Sequence, residues 1–186
     1  GLRVTDLKGN WRNLDQKGKD PSWSPDGRRL AFTRTDYLSG TGGDDLWVMN
    51  DNGSDLIKLY KGGGQLVWLR HPDWSPDGRR IAFAHTRTGI EFSTYVVNSD
   101  GTGLYQIRSK LEDDSVFPFV PRSLSPTWSP DGQRIAFSVG RPFGIGVMDA
   151  DGSNQRLLLD GTEHTVSVGY NSLFEMDPSW SPALTP

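Results

Sequence analysis

One twelve-residue stretch occurs three times in this chain and begins a fourth time. "PSWSPDGRRLAF" at residues 21–32 returns as "PDWSPDGRRIAF" at 72–83 and "PTWSPDGQRIAF" at 126–137, and "PSWSP" follows at 178–182. The tryptophans of successive copies are separated by 51, 54 and 52 residues. Self-similarity at such a period predicts an array of like structural units.

Each unit carries the patterning of short β-strands. The segment "RRLAF" places Leu30 and Phe32 on one face of a strand and Ala31 on the other, and no 3.6-residue stripe is present. The sequence SPDG at residues 24–27 has proline at the second position of a type I turn and glycine at the left-handed position after it. Residues 52–53, Asn-Gly, and their counterparts mark a second hairpin in each unit.

Four short antiparallel strands repeated at this period are typical of a β-propeller blade, because such small sheets bury both faces only against neighbouring sheets. We therefore predict an all-β fold, a β-propeller of four-stranded antiparallel blades, with three complete blades and a partial blade at each end. The complete blades are predicted at about residues 17–66, 67–120 and 121–172, and the partial blades at 1–16 and 173–186. The repeated tryptophans would fill the wedges between blades.

The sequence leaves three ways of completing the ring. The chain is a segment of a larger ring whose other blades are missing, a ring completed by a second copy in a homodimer, or a compact four-bladed ring. Uncovered sheet edges would otherwise pair with other chains.

Charge and composition exclude several classes of function. The formal net charge is -3, the pI is near 5.6, and no run of five or six like charges occurs, so we predict no nucleic-acid binding. The apolar runs are too short for membrane insertion. The absence of cysteine excludes disulfides and thiolate zinc sites, and fits both a reducing cytosol and a periplasm.

The pattern W-S-P-D-G-x-x-I/L-A-F, followed by x-V-M-x-x-D-G-S, resembles the WD-like propeller repeat of the TolB family over residues 2–182. The resemblance implies a bacterial propeller, often periplasmic, that binds other proteins and has no catalytic activity. We accordingly expect a periplasmic or otherwise exported protein, and the sequence does not exclude the cytoplasm. Similar repeats occur in the gating propellers of prolyl-oligopeptidase-like peptidases, in tricorn-type proteases and in oligogalacturonate lyases, so the family indicates the fold better than the function.

Binding is expected on one face of the disc. The connections between second and third strands, and those between blades, share a face and are longer than the hairpin turns, and such loops commonly carry function. We predict a non-enzymatic protein-interaction module that binds a protein partner through this long-loop face and the mouth of its channel. The predicted partner-binding residues are Tyr37, Asp44, His71, His85, Glu112, Asp113, Phe117, Phe119, Arg141, Phe143 and His164. The alternative for each is an ordinary loop or capping residue.

Catalysis has little support in the sequence. No G-x-S-x-G elbow, H-E-x-x-H motif, P-loop or dinucleotide fingerprint occurs, so we predict no catalytic residue and no cofactor. His71, His85 and His164 could converge on a channel metal such as manganese or zinc, although loop histidines without a metal are the favoured interpretation. The alternative function is the propeller part of an enzyme, either a prolyl-oligopeptidase-like peptidase or a metal-dependent oligogalacturonate lyase-like protein.

Overall fold

The computed structural model describes residues 1–35, 42–64, 67–86, 92–107, 124–140, 143–160 and Trp180. These residues form fourteen β-strands and contain no helix. The strands are β1 (Leu2–Thr5), β2 (Trp11–Asp15), β3 (Gly18–Trp23), β4 (Arg29–Thr35), β5 (Asp44–Asn50), β6 (Ile57–Tyr60), β7 (Trp68–Trp74), β8 (Arg80–Thr86), β9 (Phe92–Asn98), β10 (Tyr105–Ile107), β11 (Leu124–Trp128), β12 (Arg134–Gly140), β13 (Phe143–Asp149) and β14 (Arg156–Asp160).

The strands form three four-stranded sheets and one two-stranded sheet, all antiparallel and all in chain order. We call β3–β6, β7–β10 and β11–β14 the first, second and third blades, and β1–β2 the leading sheet. The first strands of the three blades lie together, with β7 in contact with both β3 and β11. They are therefore the innermost strands, and the predicted fold class of three complete blades with a partial sheet is confirmed. In the described part of the chain no helix is long and apolar enough to span a membrane.

The SPDG hairpin turns have the predicted geometry and one feature that the sequence did not indicate. The Gly27 amide donates to the Ser24 carbonyl at 2.8 Å, and Gly27 has a φ of 69°. The Ser24 side chain also organises the turn, because its Oγ donates to Asp26 Oδ1 at 2.6 Å and accepts from the Arg29 amide at 2.9 Å. The same bonds occur at Ser75 and Ser129. The buried serine therefore satisfies the backbone where the next strand begins.

The core lies between the sheets, as the alternating pattern predicts. Leu30 and Phe32 pack with Leu2 of the leading sheet, whereas Ala31 on the opposite face packs into the cluster shared with the second blade. Phe83 and Phe137 are likewise fully buried against the preceding blade. The motif strand of each blade thus presents its large apolar side chains to the sheet before it, and in the first two blades the alanine between them faces the blade after it.

The junctions between blades repeat one set of polar contacts. The arginine just before the Leu or Ile of each motif lies over the tryptophan of the following motif, and cation–π contacts of this kind stabilise by roughly 0.5–1 kcal/mol or more. The distances from guanidinium carbon to ring centroid are 4.7 Å for Arg29–Trp74, 4.5 Å for Arg80–Trp128 and 5.3 Å for Arg134–Trp180. The indole Nε1 atoms of Trp74 and Trp180 donate to the carbonyls of Ser22 and Thr127 in the preceding blade, each at 3.2 Å.

The junction between the second and third blades departs from this pattern. Trp128 is as buried as Trp74, each being 5% exposed, yet its Nε1 has no hydrogen-bond partner among the described residues. Asp73 replaces the serine or threonine of the other copies, and its Oδ2 accepts from the Trp128 amide at 2.7 Å and from Thr127 Oγ1 at 3.0 Å. Burial raises the pKa of the Asp73 carboxyl, although these hydrogen bonds act in the opposite direction.

Candidate functional site

The innermost strand of each blade is interrupted at the same place. The residue before the motif's first proline has a positive φ in all three blades: 49° at Asp20, 48° at His71 and 51° at Ser125. The strand register shifts across this position in β3, β7 and β11. A residue before proline normally adopts an extended conformation, and a left-handed one costs about 1 kcal/mol or more, so this backbone is held by its surroundings.

These three interruptions line one cavity of about 210 Å³. Its walls are formed by residues 20–21, 71–73 and 125–127, which come from the innermost strands of the three blades. The cavity therefore lies where the blades meet, and we call it the central cavity. Each blade contributes a proline ring together with the polar residue before it.

Two buried acceptors belong to this wall. Asp20 Oδ2 and Ser125 Oγ are buried atoms without a hydrogen-bond partner among the described residues, and Ser125 is only 5% exposed. Buried polar atoms in folded proteins are nearly always hydrogen-bonded, so each exception needs an explanation. Asp73, in contrast, already accepts two hydrogen bonds from the third blade.

An exposed aromatic residue begins the innermost strand of the second blade. Trp68, the first residue of β7, is 41% exposed and precedes His71 by three residues on that strand. Exposed tryptophans are frequent at the energetic centres of protein interfaces. The sequence analysis placed residue 68 in a long connection and did not select it.

The structure places Asp44 inside a blade and not in a loop. Asp44 begins β5, is 2% exposed, and forms an ion pair of 3.1 Å with Lys19. It also accepts a hydrogen bond of 2.5 Å from Thr35 Oγ1. Strands β4 and β5 pair as far as Thr35 and Asp44, so Asp44 lies at the end of the sheet. A partner-binding role for Asp44 is untested, and its contacts favour a structural one.

His85 is also a strand residue, within β8, and is 1% exposed. Its ring packs edge-on against Tyr95 at 4.8 Å between ring centroids and against Tyr60 at 5.4 Å. His71, but not His85, lines the central cavity. Of the histidines predicted to share a channel metal, His71 thus lies at the cavity, whereas the ring of His85 packs against tyrosines.

Of the remaining predicted residues, the structure describes only the backbone of Phe143. Phe143 begins β13, where its backbone pairs with Gly140. Seven predicted residues lie outside the described part of the chain: Tyr37, Glu112, Asp113, Phe117, Phe119, Arg141 and His164. Within the described ranges, no group of three or more His, Asp or Glu side chains is placed to hold a metal ion.

The sequence contained a signal for the central cavity that the analysis missed. The residue before the first proline of the motif is polar in each copy: Asp20, His71 and Ser125. Only His71 was selected, and for another reason. The repeat itself could have identified this position, because equivalent residues of innermost strands must meet around the axis of a propeller.

Comparison with known proteins supports the repeat family. No family model matches the sequence. The chain is 30% identical over 145 residues to "Uncharacterized peptidase YuxL" of Bacillus subtilis (strain 168), covering 73% of this chain and 19% of that protein. It is 34% identical over 121 residues to "Protein TolB homolog" of Chlorobium luteolum, covering 65% and 23%. The chain thus spans about a fifth of the length of these two relatives.

A solved structure leads to the same fold. The structure of TolB from Acinetobacter baumannii superposes with a TM-score of 0.63 at 21% identity, over 85% of this chain and 38% of that one. The repeated motif, the ordered antiparallel blades and the sequence similarity to a TolB homologue agree with one another. The chain is built of TolB-like β-propeller repeats.

Proposed function

We propose that this chain is a non-catalytic protein-interaction module that receives its partner on the long-loop face, at the mouth of the central cavity. One observation carries the proposal: the innermost strands of three blades converge on a cavity lined by prolines and polar residues. An exposed tryptophan, Trp68, begins the innermost strand of the second blade. A rigid scaffold that presents an aromatic anchor beside a polar depression is suited to recognition.

The similarity to TolB proteins also supports a protein-interaction role. One further relative, of Gluconobacter oxydans, is named "Tol-Pal system protein TolB". We extend this to the chain only as a proposal, together with export from the cytoplasm. Fractionation of the native host with an antibody to the chain tests the compartment.

The binding face can be tested with a matched pair of photo-crosslinking positions. Trp68 on the long-loop side and Leu104 beside the hairpin turns are both 41% exposed. A photoreactive benzoylphenylalanine at either position retains an apolar side chain. In the native host, we expect a discrete protein adduct from position 68 and none from position 104. Adducts at both positions in equal yield, or at 104 alone, would contradict a partner on the long-loop face.

A second candidate function is the propeller part of a peptidase, which the similarity to YuxL favours. In that case the repeats would accompany a hydrolase domain in the complete gene product. The test is the domain content of that product, followed by a peptidase assay with and without the repeats. A full-length protein without a hydrolase domain would remove this candidate.

A further inference from the structure

We infer that Asn52 is a site of spontaneous covalent modification, in which its side-chain amide is converted to aspartate and isoaspartate. The Gly53 amide nitrogen loses its proton and bonds to the Asn52 side-chain carbonyl carbon, and the Asn52 amide nitrogen takes up a proton and leaves as ammonia. Water then opens the resulting succinimide ring on either side of its nitrogen. The inference goes beyond the proposed function and does not depend on it.

The residue after Asn52 permits this reaction. Asn52 is exposed and is followed by glycine in the hairpin turn between β5 and β6. Glycine has no Cβ to hinder the approach of its amide nitrogen to the preceding side chain, and asparagine is a thermolabile residue. The other described asparagines are followed by residues that carry side chains: Trp11, Leu14, Asp51, Ser99 and Gln155.

The hydrogen bonds of Asn52 leave its amide nitrogen unrestrained. Its Oδ1 accepts from the Ser54 amide at 2.8 Å, and its Nδ2 has no hydrogen-bond partner among the described residues. Departure of this nitrogen therefore breaks no hydrogen bond within that part of the protein. Most of the other described asparagines differ, because their Nδ2 atoms donate to neighbouring side chains: Asn10, Asn50, Asn98 and Asn154.

The Ser54 amide also favours the attack itself. Addition of a nitrogen to the side-chain carbonyl carbon places negative charge on Oδ1, and a donor already held at hydrogen-bond distance stabilises such charge as it develops. The Gly53 amide donates to the Asn50 carbonyl at 2.9 Å. Its nitrogen therefore becomes available when this exposed turn opens locally, which turns do more readily than core strands.

The other blades show that an aspartate is compatible with this turn. Asp100 and Asp151 occupy the equivalent position, each before a glycine, and their Oδ1 atoms accept from backbone amides at 2.9 and 2.8 Å, as Asn52 does. Asp100 itself should react more slowly than Asn52. The hydrogen bond from the Thr102 side chain lowers the pKa of Asp100, so the carboxyl stays ionised, and an ionised carboxylate resists attack.

Isoaspartate, in contrast, should weaken the contact between this turn and the leading sheet, because it inserts a methylene group into the backbone at residue 52. The turn contacts β2 on both sides of that residue. The Asp51 carbonyl accepts from Arg12 Nη2 at 2.6 Å, and a Cβ at Gly53 would lie 3.7 Å from Leu14. A longer backbone between Asp51 and Gly53 cannot keep both contacts in place.

The test is a time course of the intact chain in mildly alkaline buffer, followed by peptide mapping with mass spectrometry. The mass gain from replacing NH2 by OH locates the site, and fragment ions distinguish aspartate from isoaspartate. Asn13 is the matched internal control, because it is exposed and its Oδ1 accepts a hydrogen bond, but leucine follows it. We expect Asn52 to convert roughly tenfold or more faster than Asn13, since only Asn52 precedes a residue without a Cβ.

Variants and hydrogen exchange test the site and its consequence. Asn52→Ser should abolish the mass gain in this turn, whereas Asn13→Ser should leave the rate at Asn52 unchanged. The isoaspartate form, separated by chromatography, should exchange the amide hydrogens of β2 faster than the fresh chain. Asn52→Asp, which supplies the aspartate product directly, should exchange them at the rate of the fresh chain.

Two results overturn the modification site: conversion of Asn52 no faster than that of Asn13, or earlier conversion of another described asparagine. Unchanged exchange of β2 in the isoaspartate form would refute the proposed effect on the leading sheet. Faster exchange in Asn52→Asp as well would refute the distinction between the two products.

Discussion

The two buried tryptophans of the second and third blades provide a matched test of how blades are joined. Trp74 and Trp128 are each 5% exposed, and each stacks with an arginine, at 4.7 and 4.5 Å. They differ at the indole nitrogen. Trp74 Nε1 donates to the Ser22 carbonyl at 3.2 Å, whereas Trp128 Nε1 has no partner among the described residues.

Replacing each indole by phenylalanine removes similar apolar surface and weakens similar cation–π contacts, so these losses cancel in the comparison. Trp74→Phe also removes a hydrogen bond, which contributes about 1 kcal/mol. Trp128→Phe removes a buried donor that lacks a partner, which relieves a penalty of roughly 1–3 kcal/mol. We expect Trp74→Phe to lower the free energy of unfolding more than Trp128→Phe, by about 2 kcal/mol or more.

The measurement is urea unfolding of both variants, followed by far-UV circular dichroism, with the slopes compared to verify that the same surface is exposed. The wild-type chain measured in parallel is the reference. Equal destabilisation, or a larger loss for Trp128→Phe, would show that the indole hydrogen bond does not distinguish the two junctions.

Three further predictions concern the same junctions and the turns. Burial raises the pKa of Asp73 in the folded protein above the ordinary 3.8, so its contribution to stability is present below pH 3.8 and is lost as pH rises through the folded pKa. The stability of Asp73→Asn relative to wild type should therefore increase from acid to neutral pH. A difference in unfolding free energy that does not vary with pH would contradict this. Ser75→Ala should lower the free energy of unfolding by about 1–2 kcal/mol. It should also raise the pKa of Asp77 towards its ordinary value, because the Ser75 hydrogen bond lowers that pKa. NMR titration of the Asp77 carboxyl measures the shift, and an unaltered pKa would be evidence against the role of Ser75 in organising the turn. Arg29→Met should lower the free energy of unfolding by roughly 0.5–1 kcal/mol, because it removes the cation–π contact with Trp74. Arg28→Met, at the exposed neighbouring position, should leave the free energy of unfolding almost unchanged. Equal urea midpoints for the two variants would be inconsistent with a stabilising contact between Arg29 and Trp74.

The strands and hairpins were predictable because local chemistry decides them. Proline and glycine in SPDG impose the turn whatever lies around it, and the alternation of Leu30, Ala31 and Phe32 assigns each face to a neighbouring sheet. Equivalent residues recur at a nearly fixed period, so the strands and turns of one unit predict those of the others. This is why the fold class, the blade order and the packing faces followed from the sequence.

The site was harder to predict because its geometry opposes local preference. A residue before proline favours extended backbone, so nothing in the letters Asp20-Pro21 or His71-Pro72 indicates a positive φ. Among the described residues that precede a proline, a positive φ occurs only in the innermost strands, where different blades meet.

The repeated junction between blades affects how such a chain can gain or lose units during evolution. Each complete unit has an arginine that contacts the indole of the next unit, and the first and third units also provide an acceptor carbonyl for that indole. A duplicated unit would therefore find compatible neighbours on both sides without any new mutation, so this architecture can lengthen or shorten by whole units. A blade carrying Asp73 is less interchangeable, because its carboxylate must meet the backbone amide and the hydroxyl that Trp128 and Thr127 provide.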